Sequence, residues 1–196
     1  MKKIAFFDFD GTITSKDTLL EVIKYQKGKL NFYAGFLLNS PVLVGLKLKL
    51  VSNQGAKERM LKYFFKGMDI DSFQKGCDSF IDNTLPGIIR PAAIDEIRKL
   101  KEEGFETVMV SASPENWIKK WADANGLGLI ATKLQTKDNL LTGYIDGINN
   151  NGDEKAIRIK AEFDLSTYNE IYCYGDSGGD KAMLSLGTKA FYKPFR

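Results

Sequence analysis

Histidine is absent from all 196 residues of the chain. That removes histidine phosphatases, Ser-His-Asp hydrolases, Cys-His proteases and His-ligated zinc enzymes together, since each needs an imidazole as base, nucleophile or ligand. Cysteine is nearly absent too. Cys77 and Cys173 stand far apart without metal-ligand spacing, and Asn83 and Gly179 occupy the places where a cysteine-phosphatase loop needs an arginine. A reduced, cytoplasmic protein is the expectation. Long apolar runs are missing as well. The stretch Leu30 to Val51 is interrupted by Asn39, Ser40, Pro41, Lys47 and Lys49, short of the roughly 20 apolar residues a membrane span requires, so a pair of amphipathic helices is expected there. Met1-Lys2-Lys3 is followed only by Ile4 to Phe7 before Asp8, too little for a signal peptide. There is no repeat and no low-complexity tract. What remains is 43% hydrophobic and 27% charged, enough for one buried core plus a modest insertion. Any chemistry must run on carboxylates, lysines and hydroxyls, with or without a metal.

Strand and helix signals alternate. Lys3 to Phe7 is an apolar run ending in Asp8-Phe9-Asp10-Gly11-Thr12, a buried strand delivering two carboxylates to a loop. From Asp17 to about Phe80 the pattern is helical, and Leu85-Pro86-Gly87 and Arg90-Pro91 then mark a break. Ala92 to Glu103 reads as an amphipathic helix stopped by Gly104. Thr107 to Val110 is a second strand leading to Ser111-Ala112-Ser113, with Ser113-Pro114 read as the N-cap and first turn of a helix carrying Trp117, Ile118 and Trp121. Leu129 to Thr132 is a short strand, Leu140 to Ile148 a hairpin arm and Glu154 to Phe163 a helix. Ile171 to Tyr174 is a last strand, ending in Gly175-Asp176-Ser177-Gly178-Gly179-Asp180. Strands alternating with helices imply an α/β fold with a doubly wound parallel sheet, which binds ligands beyond the carboxyl ends of its strands. Three strands end in Asp8, Ser111 and Asp176.

Strand alternation points the Asp8 and Asp10 carboxylates the same way and Phe9 into the core, while Gly11 permits a tight turn and close backbone approach to a ligand. Crowded carboxylates repel, and a divalent cation relieves them. With Asp176 and Asp180 added, an all-oxygen ligand set without imidazole or thiolate suits Mg²⁺. The Ser111 hydroxyl and the backbone N–H groups after it can hold phosphate oxygens, and Lys155 can supply a fixed positive charge to a transferring phosphoryl group. Asp8 and Asp10 are too close in sequence to flank a sugar at the roughly 5 Å a glycosidase needs, and no Gly-x4-Gly-Lys-Ser/Thr loop occurs.

These motifs, in this order over essentially the whole chain, resemble the haloacid dehalogenase superfamily and most closely its phosphoserine phosphatase-like branch. The resemblance implies a Rossmann-like core of residues 1–15 and 86–196 with an α-helical cap of residues 16–85 inserted after the first strand. It implies that Asp8 attacks phosphorus to form an aspartyl-phosphate, and that Asp10 protonates the leaving oxygen and then activates water. Ser111 and Lys155 complete the catalytic set. Gly11, Thr12, Ser111, Ala112 and Lys155 hold the phosphate, with Asp17 at the substrate. Mg²⁺ is held by Asp8, Asp10 through its main-chain carbonyl, and Asp176, with Asp180 helping to position that shell. Dehalogenases of this kind lack the second aspartate and transport ATPases carry threonine there, so Asp10 favours hydrolysis of a phosphate ester.

Two departures bear on the substrate. Phosphoserine phosphatases carry glutamate at the place of Asp17 and usually asparagine at that of Gly179, so a small phosphorylated metabolite other than phosphoserine is expected. The insertion also resembles the C-type phosphatidylglycerophosphate phosphatases in its order of basic Lys24 to Lys29, apolar Phe32 to Leu38, Pro41, apolar Val42 to Leu46 and basic Lys47 to Lys66. Lys16 to Lys66 holds ten Lys or Arg against three Asp or Glu, a surplus of seven (10 − 3) in a chain of net charge +3. Such a cap could sit peripherally on anionic lipid headgroups, which gives the alternative of a lipid phosphate. No nucleic-acid partner is expected.

Overall fold

A computed structural model describes residues 2–41, 45, 48 and 50–196. The expectations placed on Val42 to Leu46 and on Lys47 and Lys49 therefore fall almost wholly outside the described residues. A parallel sheet of order β3-β2-β1-β6-β7 forms the centre. Its strands are β1 (Lys2–Phe7), β2 (Phe105–Pro114), β3 (Gly128–Thr132), β6 (Tyr168–Gly175) and β7 (Lys189–Tyr192). β1 is central, with Phe7 aligned to Met109 on one side and Tyr174 on the other, so the carboxyl ends of β1, β2 and β6 open side by side where the strand order reverses.

Both faces of the sheet are covered, which is why its strands read as nearly continuous apolar runs. Ala5, Phe7, Phe105, Met109 and Tyr174 face one core, and Ile4, Phe6, Val108, Val110, Ile171 and Cys173 face the other. The first core receives Ala93, Ile97 and Leu100 of α5 (Pro91–Glu102), and the second receives Ile159 of α7 (Asp153–Glu162) and Met183 of α8 (Lys181–Leu184). The sheet is thus doubly wound, as the alternation of elements implied.

Between β1 and α5 the chain forms α1 (Thr18–Lys27), α2 (Lys29–Leu38), α3 (Asn53–Phe65) and α4 (Ile70–Asn83). α1, α3 and α4 begin at Asp17, Ser52 and Asp69, whose side chains each accept a first-turn N–H. α4 buries Phe73, Cys77, Phe80 and Ile81, one face of a 3.6-residue period. β4 (Leu134–Lys137) and β5 (Leu140–Ile145) form a separate antiparallel hairpin. Asp138 and Asn139 take positive φ at its two-residue turn, the backbone that suits right-twisted strands. Backbone bonds from Gly67 to Leu141 (2.8 Å), Leu141 to Met68 (2.9 Å) and Ile70 to Asn139 (2.9 Å) tie it to the turn between α3 and α4.

One local expectation is corrected. Ser113 does not cap a helix: β2 continues through an irregularity to Pro114, which pairs with Thr132. A short 3-10 turn at Glu115–Trp117 follows, and α6 starts only at Lys119 (Lys119–Ala124). The Ser-Pro pair fits either a helix start or an extended strand end, and pairing with β3 decides between them.

Candidate active site

Asp8 follows directly on β1, and its N–H donates to Tyr174 O (2.9 Å), a last rung between β1 and β6. Phe9 turns into the core. Gly11 adopts φ +84°, and a Cβ there would run into the Asp176 carboxylate, so both backbone and space call for glycine. The buried Thr12 hydroxyl donates to Asp8 Oδ2 (2.9 Å).

Lys155, 1% exposed on α7, places Nζ 2.5 Å from Asp8 Oδ1 and 2.7 Å from Asp180 Oδ1. Asp180 Oδ2 accepts from the N–H groups of Asp176 (3.1 Å) and Ser177 (2.9 Å) and from Ser177 Oγ (2.8 Å). Gly175 is required for this approach, since a Cβ would press on the Asp180 side chain. Burial works against charge on all three groups, with different outcomes. Asp8 is pushed up to about 7 by burial, only partly offset by Lys155. Asp180 is held below the usual carboxylate range, because Lys155 and the Ser177 bonds outweigh burial. Lys155 is likewise raised, its two carboxylate partners outweighing burial.

Asp8, Asp176 and Asp180 each offer a carboxylate oxygen, all within 4.8 Å of one another. Lys155 bonds two of these acids, and Arg196 pairs with Asp176 at the rim. Two buried acids and a third half-buried one, all oxygen donors, fit a hard divalent cation such as Mg²⁺. The Asp10 carboxylate is engaged elsewhere, accepting from Thr18 N–H (2.7 Å) and Ser113 Oγ (2.5 Å).

The sign of the Asp8 shift gives a test. A carboxyl raised in the folded chain opposes folding once the unfolded chain has ionised. The metal-free protein therefore loses stability through this group as pH rises from about 4 to about 7, and the group changes it no further above that. A cation binding ionised Asp8 reverses the loss. Mg²⁺ is expected to raise the melting temperature much more at about pH 8 than at about pH 5, with EDTA cancelling the rise. Equal shifts at both pH values would remove Asp8 from the cation site.

Other predicted residues fall around this centre. Ser111 is fully buried, its Oγ accepting from Ser113 N–H (3.0 Å), while Asn150 Nδ2 fixes Ser111 O (3.1 Å) and Ile130 O (2.9 Å). Ala112 and Ser113 instead reach the open space, a cleft of about 440 Å³ that Asp8, Asp10, Gly11, Asp17, Lys155, Asp176 and Asp180 also line. Asp17 caps α1 through Leu20 N–H (3.2 Å). Crowding in the cleft and the neighbouring Asp10 push its carboxyl up, and its solvent-exposed surface limits the size of that shift.

Several site residues were not singled out from sequence. Lys57 of α3 reaches from the helical insertion to Ala112 O (2.8 Å) and Asn149 Oδ1 (3.0 Å), its charge disfavoured by burial and supported by Asp10 and Asp17. It stands where the cleft meets an outer chamber of about 590 Å³, whose apolar lining includes Leu19, Leu20, Phe36, Ala56 and Met60. Nothing distinguishes Lys57 from the other lysines of its segment. The run Asn149-Asn150-Asn151 is different: Asn149 and Asn150 are buried, and three consecutive amides before a helix were a usable signal.

Comparison with known proteins bears on family and fold. A family model described as haloacid dehalogenase-like hydrolase matches residues 5–185. Protein CicA of Caulobacter vibrioides is 31% identical over 195 residues, covering 97% of this chain and 85% of its own. A phosphoglycolate phosphatase of Picrophilus torridus is 27% identical over 207 residues, covering 96% and 77%. Among solved structures, a substrate-bound phosphoserine phosphatase complex superposes with a TM-score of 0.73 at 18% identity, covering 98% of this chain and 86% of that one.

Proposed function

The chain belongs to the haloacid dehalogenase-like hydrolase family, and from that premise we propose a Mg²⁺-dependent phosphatase that works through phosphorylated Asp8. The observation that carries this reading is the contrast between the two aspartates. Asp8 is locked into the buried ion-paired cluster, whereas Asp10 faces the same cleft on separate hydrogen bonds. On this reading Asp8 attacks and Asp10 moves a proton.

An Asp8 carboxylate oxygen forms a bond to phosphorus, and the bond from phosphorus to the ester oxygen breaks with its electron pair passing to that oxygen. Asp10 donates the proton the leaving alcohol needs. Asp10, now ionised, takes a proton from the incoming water, whose oxygen bonds to phosphorus as the Asp8–phosphorus bond breaks. Lys155 holds Asp8 in place and sets a positive charge beside the phosphoryl oxygens. Thr12 fixes the other Asp8 oxygen. Mg²⁺, held by Asp8, Asp176 and the Asp10 carbonyl with Asp180 supporting, would supply the charge that lets an anionic ester enter an acidic cleft.

The helices from about residue 16 to 85 serve as a cap that shapes the leaving-group side. Asp17 and Lys57 stand at the neck between the cleft and the outer chamber, placed to read a small phosphorylated metabolite. The relatives named for phosphoglycolate and phosphoserine make those esters the first to test, although Asp17 and Gly179 depart from the phosphoserine pattern. Phosphate release from a panel of monoesters, with Mg²⁺ and with EDTA, decides the reading. Release that EDTA does not suppress, or none from any ester, contradicts it.

A specific observation favours a second reading, a lipid phosphate. On α2 only Phe32 and Gly35 are buried, while Leu30, Tyr33, Leu37 and Leu38 are 88%, 62%, 73% and 67% exposed. Phe36 of the same helix lines the outer chamber. No helix among the described residues is long and apolar enough to cross a membrane, so contact would be peripheral. Flotation with anionic vesicles, weakening as salt rises and lost in Leu30→Glu/Leu37→Glu, is the expected result if this surface meets lipid. No flotation at low salt would leave a water-soluble substrate.

A further inference from the structure

The Asp10 carboxylate is gripped from two places, one eight residues along the chain and the other 103. Oδ1 accepts from the N–H of Thr18, the first residue of α1, and Oδ2 accepts from Ser113 Oγ at 2.5 Å, near the end of β2. Behind Ser113 stand two more groups: Thr18 Oγ1 lies 3.0 Å from Ser113 Oγ, and Trp117 Nε1 donates to Thr18 Oγ1 at 3.0 Å. Thr18 and Trp117 are fully buried and Ser113 is 3% exposed.

In the ionised form that Asp10 takes once it has given up its proton, donor counting fixes the direction of every bond. An ionised carboxylate only accepts, so Ser113 spends its single hydroxyl proton on Asp10. Ser113 must then accept from Thr18, whose hydroxyl proton is spent in turn. Thr18 accepts from the indole N–H of Trp117, which can only donate. All the protons point toward Asp10. The anchor is rigid, since Trp117 is packed edge-on against Phe73 of α4 at 6.4 Å between ring centres.

We propose that Ser113, set by Thr18 and Trp117, is a positioning residue that holds the Asp10 carboxyl in the orientation needed to reach the leaving oxygen. The proposal rests on the reading of Asp10 as proton donor. An unrestrained aspartate turns about two side-chain bonds, and proton transfer demands a heavy-atom separation of about 2.6–3.2 Å. A relay of buried donors removes that freedom in advance. Because the Thr18 N–H begins α1, the same bonds tie the position of the acid to that of the helical insertion.

The test compares phenyl phosphate with p-nitrophenyl phosphate, esters of similar shape whose leaving groups differ greatly in their need for a proton. Ser113→Ala is expected to lower kcat about 10- to 100-fold on phenyl phosphate and no more than about threefold on p-nitrophenyl phosphate, with inhibition by inorganic phosphate little changed. Ser113→Thr, which keeps the hydroxyl, should restore most of the loss. Thr18→Val should show a smaller loss of the same selectivity, and it serves if Ser113→Ala folds poorly. In an Asp10→Asn background, itself about 10²- to 10⁴-fold impaired on phenyl phosphate, Ser113→Ala should add nothing. If Asp10→Asn shows no selective loss, the reading of Asp10 fails. If Asp10→Asn behaves as expected while Ser113→Ala matches wild type, or loses equally on both esters, the positioning proposal alone is overturned.

Discussion

Asp8→Asn is expected to lower turnover at least about 10³-fold while leaving the metal-free fold as stable as before, or more so. An amide is a poor nucleophile and a weaker metal ligand, so both roles fail at once. Stability moves the other way for a separate reason. Burial outweighs the Lys155 pair at Asp8, raising its pKa to about 7, so at higher pH the folded chain holds a carboxylate it would rather have protonated. A neutral amide of the same shape escapes that cost and can still accept from Lys155. Turnover and melting temperature measured together check this. Retention of more than a few per cent of turnover contradicts the assignment, roughly speaking, because nucleophile removal is worth several orders of magnitude. A variant that lost activity by unfolding would show nothing about the nucleophile.

Lys155→Met has the opposite profile. Lys155 bonds Asp8 at 2.5 Å and Asp180 at 2.7 Å, and all three side chains are at most 8% exposed. Removing the ammonium leaves Asp180 a buried carboxylate without its cation, and breaking a buried pair costs about 3–5 kcal/mol. Turnover should fall about 10²- to 10³-fold as well, the range seen when one charge-stabilising donor is lost. Urea unfolding and initial rates read the two effects. A stability loss under about 1 kcal/mol, typical of solvent-exposed ion pairs, would show that the cluster behaves as a solvated surface.

Much of the centre could be read from sequence because its residues directly follow buried strands. Asp8 follows Ile4 to Phe7, Asp176 follows Ile171 to Gly175, and parallel pairing brings both ends together beside β2. The residues that escaped depend on closure across long stretches of chain. Lys57 reaches Ala112 across 55 residues and Ser113 reaches Asp10 across 103, and no local periodicity encodes either contact. Ser113 carried a misleading local signal, since its proline neighbour suits a helix start until β3 pairs with it. β7, the edge strand Lys189–Tyr192, is too short to announce itself, its four residues being shown as strand only by pairing with β6. Asp17 lines the cleft and in capping α1 carries a structural duty as well. A variant there would mix helix stability with recognition.

The central claim is a covalent phosphoryl group on Asp8. Acid quenching during steady turnover of p-nitrophenyl phosphate with Mg²⁺, followed by proteolysis and mass spectrometry, looks for that group directly. The account predicts one added phosphoryl on the peptide containing Asp8, released by hydroxylamine and missing from Asp8→Asn. A phosphoryl group on any other residue, or full turnover with Asp8 never modified at any quench time, would contradict it.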